Sequence, residues 1–182
     1  MTRLTGYHDT APHAAQHDLT DRDAIVAALA PTGVYLEHWD AASLGDDTSD
    51  AAILAAFADE IERLKARGGY QSWDVARLTP DHPQRAEFRA KFLAEHVHDD
   101  DEVRFFVEGS GLFYIRSGGT VHALECTAGD LIVLPAGTRH WFDTGKRPRF
   151  TAIRLFTTPD GWVARFTGDP IAEAIPHYDG AA

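Results

Sequence analysis

Cysteine is almost missing from this chain: Cys126 is the only one in 182 residues. A lone thiol excludes an internal disulfide and predicts a reducing, cytoplasmic setting. Long apolar runs are missing as well. None approaches the roughly 18–20 residues of a membrane span. The opening stretch MTRLTGYHDTAPHAAQHD lacks the apolar centre of a secretory signal. Basic residues are scarce beside acidic ones, 17 Lys and Arg against 28 Asp and Glu, which leaves a formal charge of −11 with histidines neutral. With no Lys/Arg stripe to counter that charge, nucleic acid is excluded as a partner. No repeat, low-complexity tract or Pro/Gly/Ser linker divides the chain. Its length therefore predicts one domain over residues 1–182, large enough to bury a sizeable core. Histidine is abundant, at ten residues.

The hydrophobic pattern falls into two parts. Residues 1–17 are polar and aperiodic, and are expected to be frayed or extended. Asp18 and Thr20 are cap candidates for a short helix through Ala30, stopped by Pro31 and Gly33. A short strand follows at 34–36. The clearest helix covers 50–67, capped by Thr48 or Ser49, with Ile53, Phe57, Ile61 and Leu64 on one stripe and Gly68-Gly69 at its end. Residues 70–78 return to strand character. Pro83 sits at the first turn of a third helix that buries Phe88, Phe92 and Leu93. Short apolar or alternating runs then appear at 103–107, 112–116, 121–126, 131–134, 140–142, 150–156 and 162–166. Turn signals such as Gly109-Ser110-Gly111 and Pro159-Asp160-Gly161 separate them. The expected fold is α+β and mainly β: an antiparallel β-barrel or jelly roll over 94–170, with helices from 18–93 packed on it around a single core.

The densest cluster of potential ligands is Glu95-His96-Val97-His98-Asp99-Asp100-Asp101-Glu102. Alternate residues of a strand share a face, so His96 and His98 present two imidazoles side by side. Glu102 keeps their parity unless the acidic run between them turns or bulges. Downstream, a strand, a Pro135-Ala136-Gly137 turn and then His140 return a third imidazole to the same barrel mouth. Three nitrogens and one carboxylate oxygen suit a divalent transition metal. Zinc is usually satisfied by four ligands, whereas iron(II) or nickel(II) normally takes six and keeps two positions open. The absence of thiolates argues against structural zinc. His122 reads as structural or exposed, and His8, His13, His17, His38, His82 and His177 read as surface residues. Cys126 reads as a small buried hydrophobe.

The pattern His96-x-His98-x3-Glu102-x6-Gly109 resembles the first cupin motif, and Gly129-x5-Pro135-x-Gly137-x2-His140 resembles the second. Ala90 and Thr144 stand where that pattern usually has glycine and asparagine; both positions are expected in turns. The segments GYQSWDV (69–75), KFLAEHVHDDDEVRFFVEGSGLF (91–113), DLIVLPAGTRHWFD (130–143), FTAIRLF (150–156) and GWVARFTGD (161–169) resemble the acireductone dioxygenases of methionine salvage, over roughly residues 20–175.

That resemblance implies a site. His96, His98, Glu102 and His140 would hold one Fe(II) or Ni(II). Arg104 would generate and hold the substrate as a dianion, Glu95 would assist metal incorporation, and Asp101 would transmit local conformational change. The substrates would be the acireductone 1,2-dihydroxy-3-keto-5-methylthiopentene and O2. The iron form would give 4-methylthio-2-oxobutanoate and formate, and the nickel form 3-methylthiopropanoate, formate and carbon monoxide.

The residues agree on Arg104. It shares the parity of Glu102 and Phe106, and a guanidinium inside an apolar barrel needs an anionic partner. Arg154, between Ala152 and Phe156 on its own face, is a second substrate-binding candidate, with a plain ion pair as its alternative. Phe92, Phe106, Phe142 and Trp162 are candidate walls around the methylthio tail. The net charge opposes an anionic substrate at long range, so Arg104, Arg154 and the metal must reverse its sign locally. Another cupin dioxygenase or isomerase would share the ligands without needing Arg104 beside Glu102. A non-enzymatic metal-binding cupin would lack room beside the ion. The modest size and acidic surface predict a monomer.

Overall fold

The computed structural model describes residues 1–40, 47–158 and 162–180, so the expected turn at Pro159-Asp160-Gly161 lies outside the described residues. Most of residues 1–17 are extended and paired rather than frayed. β1 (Arg3–His8) and β2 (Ala11–Leu19) form an antiparallel hairpin. β1 also pairs with β7 (Thr120–Thr127), from Arg3↔Glu125 to His8↔Thr120. β2 looked aperiodic because it is an edge strand with mostly exposed side chains. Since β2 takes up Asp18 and Leu19, α1 (Arg22–Leu29) begins later than expected. Its cap is Asp21, whose Oδ1 accepts from the Ala24 amide at 2.9 Å.

The helix expected over 50–67 is two helices. α2 (Asp50–Ala56) is capped by Ser49, and α3 (Ala58–Gly68) ends at left-handed Gly69. They meet at Phe57, whose backbone leaves the helical region at φ −112° while its ring stays buried with Ile53, Ile61 and Leu64. α4 (Arg85–Phe92) buries no residue fully; Phe88 and Phe92 pack part-buried against the core. The half expected to be helical also supplies two barrel strands. β3 (Tyr35–His38) pairs with β8 (Asp130–Leu134), and β4 (Ser72–Leu78) pairs with β10 (Phe150–Phe156). Of the strand expected at 162–166, only β11 (Arg165–Phe166) forms. It pairs with β5 (His96–Val97), and a last short helix, α5 (Ile171–Ala174), follows.

One strand joins the two sheets. The runs expected at 103–107 and 112–116 are halves of β6 (Glu102–Ser117). Its first half pairs with β8 and β10, giving the order β4-β10-β6-β8-β3. Its second half pairs with β7 and with β9 (Arg139–Asp143), in the order β11-β5-β9-β6-β7-β1-β2. Between the halves the register with β10 slips: Ala152 faces Phe106 while Thr151 faces Glu108, so Val107 is a bulge. The extra residue inverts the alternation. Phe106 faces the interior before it, and Phe113 and Ile115 face the same interior after it.

Three apolar clusters follow. The barrel interior holds Leu4, Leu36, Phe106, Phe113, Ile115, Leu124, Cys126, Ile132, Phe142 and Ala152. The outward faces of Val103, Phe105, Leu131, Ile153 and Leu155 are covered by α2 and α3 through Ile53, Phe57, Ile61 and Leu64. Tyr114, Val121, Ala123 and Trp141 face outward from the other sheet and lie under Ile171, Ala172 and Ile175. Among the described residues, no helix is long and apolar enough to cross a membrane.

Gly109 makes the joint possible. Its φ is +74°, and a Cβ there would lie 1.8 Å from the Arg149 carbonyl, which accepts from the Ser110 amide at 3.1 Å. Gly109→Ala is therefore expected to cost about 2–4 kcal/mol, the left-handed penalty plus displacement of β10. The midpoint of thermal unfolding should fall by roughly 6–12 °C. Gly69→Ala is the control, with φ +69° and no atom within 4 Å of its Cβ. It should cost only about 1 kcal/mol. Equal losses in the two variants would refute the close-approach account.

Candidate metal centre

His96, His98, Glu102 and His140 converge and all four are buried, with their ligand atoms within 4.8 Å of one another. Sheet register brings them together. His96 on β5 faces His140 on β9 directly. His98 lies in the turn after β5, and Glu102 opens β6. The three ring centroids are 4.5–5.0 Å apart.

Two of the imidazoles have fixed tautomers. The Nδ1 of His96 lies 2.7 Å from the Ala94 carbonyl, and that of His140 lies 2.8 Å from the Thr138 carbonyl. A carbonyl only accepts, so each Nδ1 carries the proton and each Nε2 is left with its lone pair. The Nε2 of His140 nevertheless sits 3.0 Å from Glu102 Oε2, and the same oxygen is 3.1 Å from His98 Nε2. A lone pair facing a carboxylate oxygen is repulsive unless a cation lies between them. The donor set therefore fits a divalent metal, with backbone carbonyls orienting the ligands from behind.

The electrostatics agree. Burial alone would raise the Glu102 carboxyl, but the Arg104 charge, with the His140 and His98 rings beside it, holds it well below the usual carboxylate range. Burial, reinforced by His140, pushes His96 down to about 4, so it is a neutral ligand at ordinary pH. Burial acts the same way on His98, but its contacts with Glu102 prevail and raise it.

The centre opens on a cavity of about 600 Å³, lined by the ligands His96, His98 and Glu102, by Arg104 and Arg154, and by Phe92, Phe142, Phe156 and Trp162. Arg104 is buried, and its Nη2 donates to Glu102 Oε1 at 2.9 Å. Its guanidinium carbon lies 4.3 Å from the Phe142 ring centroid and 5.1 Å from that of Phe113. Its Nε is buried with no hydrogen-bond partner among the described residues. Arg154 stands opposite Arg104 in the sheet register and opposite Asp74 on its other side. It donates to both Asp74 oxygens, at 2.8 and 2.6 Å. Two guanidinium groups thus share the cavity face, each held by one carboxylate.

Not every expected residue lies on that wall. Phe92, Phe142, Trp162 and Arg154 do, but Phe106 does not. It is fully buried one layer back, against Phe113, Phe142 and Phe150. Its parity is inward as expected, but Phe142 stands in front of it. Glu95 is buried outside the ligand cluster, accepting from Thr167 Oγ1 at 2.7 Å and from Arg116 at 3.4 Å. Asp101 is not merely a solvated charge. Its carboxylate accepts from the Ala136 amide at 2.9 Å and from Tyr70 at 3.3 Å, and its carbonyl accepts from Trp162 Nε1 at 3.1 Å. It therefore ties the turn before His140 to the wall of the cavity.

His17 is not free on the surface. It lies over Gly6, where a Cβ would sit 2.1 Å from its ring, and faces half-buried His122 with centroids 6.3 Å apart. Sequence reasoning missed Asp74, Phe156 and Lys91 on the cavity wall. Asp74 was detectable only as the one acidic residue of the strand at 70–78.

A triad of imidazoles with one carboxylate, inside a two-sheet antiparallel barrel and open to a cavity, defines a metal-dependent enzyme of the cupin class. The family model described as ARD/ARD′ matches residues 6–164. The chain is 54% identical to the acireductone dioxygenase of Parvibaculum lavamentivorans over 180 residues, 98% of each chain. It is 51% identical to that of Marinobacter nauticus over all of this chain and 98% of the relative. A solved structure, the acireductone dioxygenase from Bacillus anthracis with a cadmium ion in its active centre, matches with a TM-score of 0.80 at 34% identity. The match spans 91% of this chain and 98% of that one. The chain belongs to the acireductone dioxygenase family, and its four-residue site is built for a single divalent metal.

Proposed function

We propose that the chain cleaves 1,2-dihydroxy-3-keto-5-methylthiopentene with O2 in methionine salvage, using Fe(II) or Ni(II) held by His96, His98, Glu102 and His140. With iron the products are 4-methylthio-2-oxobutanoate and formate; with nickel they are 3-methylthiopropanoate, formate and carbon monoxide. The observation that carries this reading is Arg104, a buried cation 2.9 Å from a metal-ligand carboxylate and facing the cavity. When bound, the ion supplies Lewis acidity and a template for chelating the enediol oxygens.

The chain's own residues do the rest. The Ala94 and Thr138 carbonyls hold the protons of His96 and His140 on Nδ1, which would leave each Nε2 free to bind the ion. Arg104 places a fixed positive charge where the second enediolate charge develops, and its unpartnered Nε is a donor for that oxygen. Arg154, with part of its charge offset by Asp74, holds a further substrate oxygen. Phe92, Phe142, Phe156 and Trp162 enclose the methylthio tail and exclude water. Glu95 assists metal loading from beside His96, and Asp101 passes movement of the Pro135–Gly137 turn to Trp162. The single buried Cys126 and the charge of −11 support a cytoplasmic monomer.

The test is reconstitution with Fe(II) or Ni(II) under anaerobic conditions, then acireductone, then oxygen. Loss of the enediol ultraviolet band should accelerate well beyond the rate with free metal, and carbon monoxide should appear only with nickel. No acceleration with either metal refutes the reading. Identical products with both refute the metal-dependent outcome.

A further inference from the structure

We infer that Lys91 is the entry cation of the cavity, a positioning residue that captures the acireductone anion at the rim and hands it to Arg104. The inference rests on the substrate proposed above. A 3-keto-1,2-enediol is a vinylogous acid, so it arrives as an anion and meets a protein with a formal charge of −11. Asp99 is paired with Arg165, but Asp100 and Asp101, close to ligand His98, add to the repulsion near the site. Something at the mouth must reverse the field locally.

The other charges on the cavity wall are already committed. Glu102 is bound by Arg104, and Asp74 by Arg154. Lys91 lines the same cavity, and its ammonium has no ion pair or hydrogen bond among the described residues. Its exposed side chain therefore keeps its full charge for an incoming ligand.

Its position is fixed by its helix. Arg89, half a turn earlier on α4, donates to both oxygens of buried Asp143 on β9, at 2.7 and 2.9 Å. Phe92, the next residue, is part of the cavity wall. The backbone of Lys91 is thus anchored between a buried ion pair and the substrate chamber. Arg104, buried beside Glu102, acts at contact range inside the cavity, whereas a rim lysine acts over several ångströms of solvent. Its contribution should therefore depend on salt, because charges beyond about one Debye length of roughly 8–10 Å are screened.

The experiment is steady-state turnover of acireductone by the metal-loaded protein at ionic strengths from about 20 to about 300 mM. Wild type, Lys91→Gln, Lys91→Glu and Lys91→Arg are compared, with metal content measured for each. At low salt Lys91→Gln should lower kcat/KM roughly fivefold and Lys91→Glu roughly twentyfold, through KM. The salt dependence should flatten in Lys91→Gln and reverse in Lys91→Glu, while Lys91→Arg should match wild type. A lesion in folding or metal loading would not change sign with salt, so it is distinguishable. Wild-type kcat/KM and salt slope in Lys91→Gln overturn the inference, as does a fall in kcat at unchanged KM. Failure of the wild-type holoenzyme to turn over acireductone would instead refute the proposed substrate.

Discussion

Replacing Glu102 with glutamine is expected to strip the metal from the protein. Glu102 is the only carboxylate in the ligand set and one of its oxygens faces both His98 and His140. Glutamine keeps the shape but loses the charge, and it puts an amide that is no ligand, or a weak neutral carbonyl, toward the ion. Loss of outer-shell support alone typically costs 10–100-fold in metal affinity, so loss of this ligand charge should cost at least about 100-fold. The same change leaves the buried Arg104 guanidinium without its carboxylate. Breaking a buried pair on one side costs roughly 3–5 kcal/mol. The expected result is therefore double: near-zero metal by elemental analysis after dialysis, and a clearly lower unfolding temperature for the metal-free protein than for metal-free wild type. Retained metal at wild-type stoichiometry would remove Glu102 from the ligand set. An unchanged unfolding temperature would show that Arg104 has another partner.

The ligands were legible because their chemistry is local. His96 and His98 sit two apart, Glu102 follows within one turn, and Pro135-x-Gly137 places a reversal just before His140. The barrel strands were legible from short apolar runs and glycine turns. What escaped depends on register, which no local pattern encodes. The bulge at Val107 joins two expected strands into β6 and changes which parity faces inward. Phe106 was read correctly as inward but could not be placed behind Phe142. The Asp74 carboxylate meets Arg154 only because β4 and β10 pair in that register, 80 residues apart in sequence. The amino-terminal hairpin was opaque because an edge strand with both faces largely solvated has no hydrophobic alternation to read. Phe57 ends α2 without leaving the apolar stripe, so periodicity alone could not divide the helix.

Arg104→Ala separates binding of the ion from activation of the substrate. Glu102 keeps both histidine contacts in this variant, so metal content should stay near wild type. Turnover should not. Removing one fixed positive charge aimed at a developing oxyanion typically costs roughly 100–1000-fold, and kcat/KM at neutral pH should fall by that order. The pH dependence carries the sharper test. A positive charge within about 4–6 Å lowers the pKa of an acid by about 1–3 units. Arg104 would therefore lower the second ionisation of the bound enediol. Without it the enediol loses that proton only at higher pH, so the acid limb of the pH–rate profile should move upward. Part of the lost activity should then return as pH rises. Arg104→Lys should recover part of the rate at neutral pH, since it restores the charge but not the planar fork. A variant that loses rate by a constant factor at every pH would show that Arg104 only shapes the cavity. A variant that loses its metal would show that the Arg104–Glu102 pair supports the ligand set rather than the substrate.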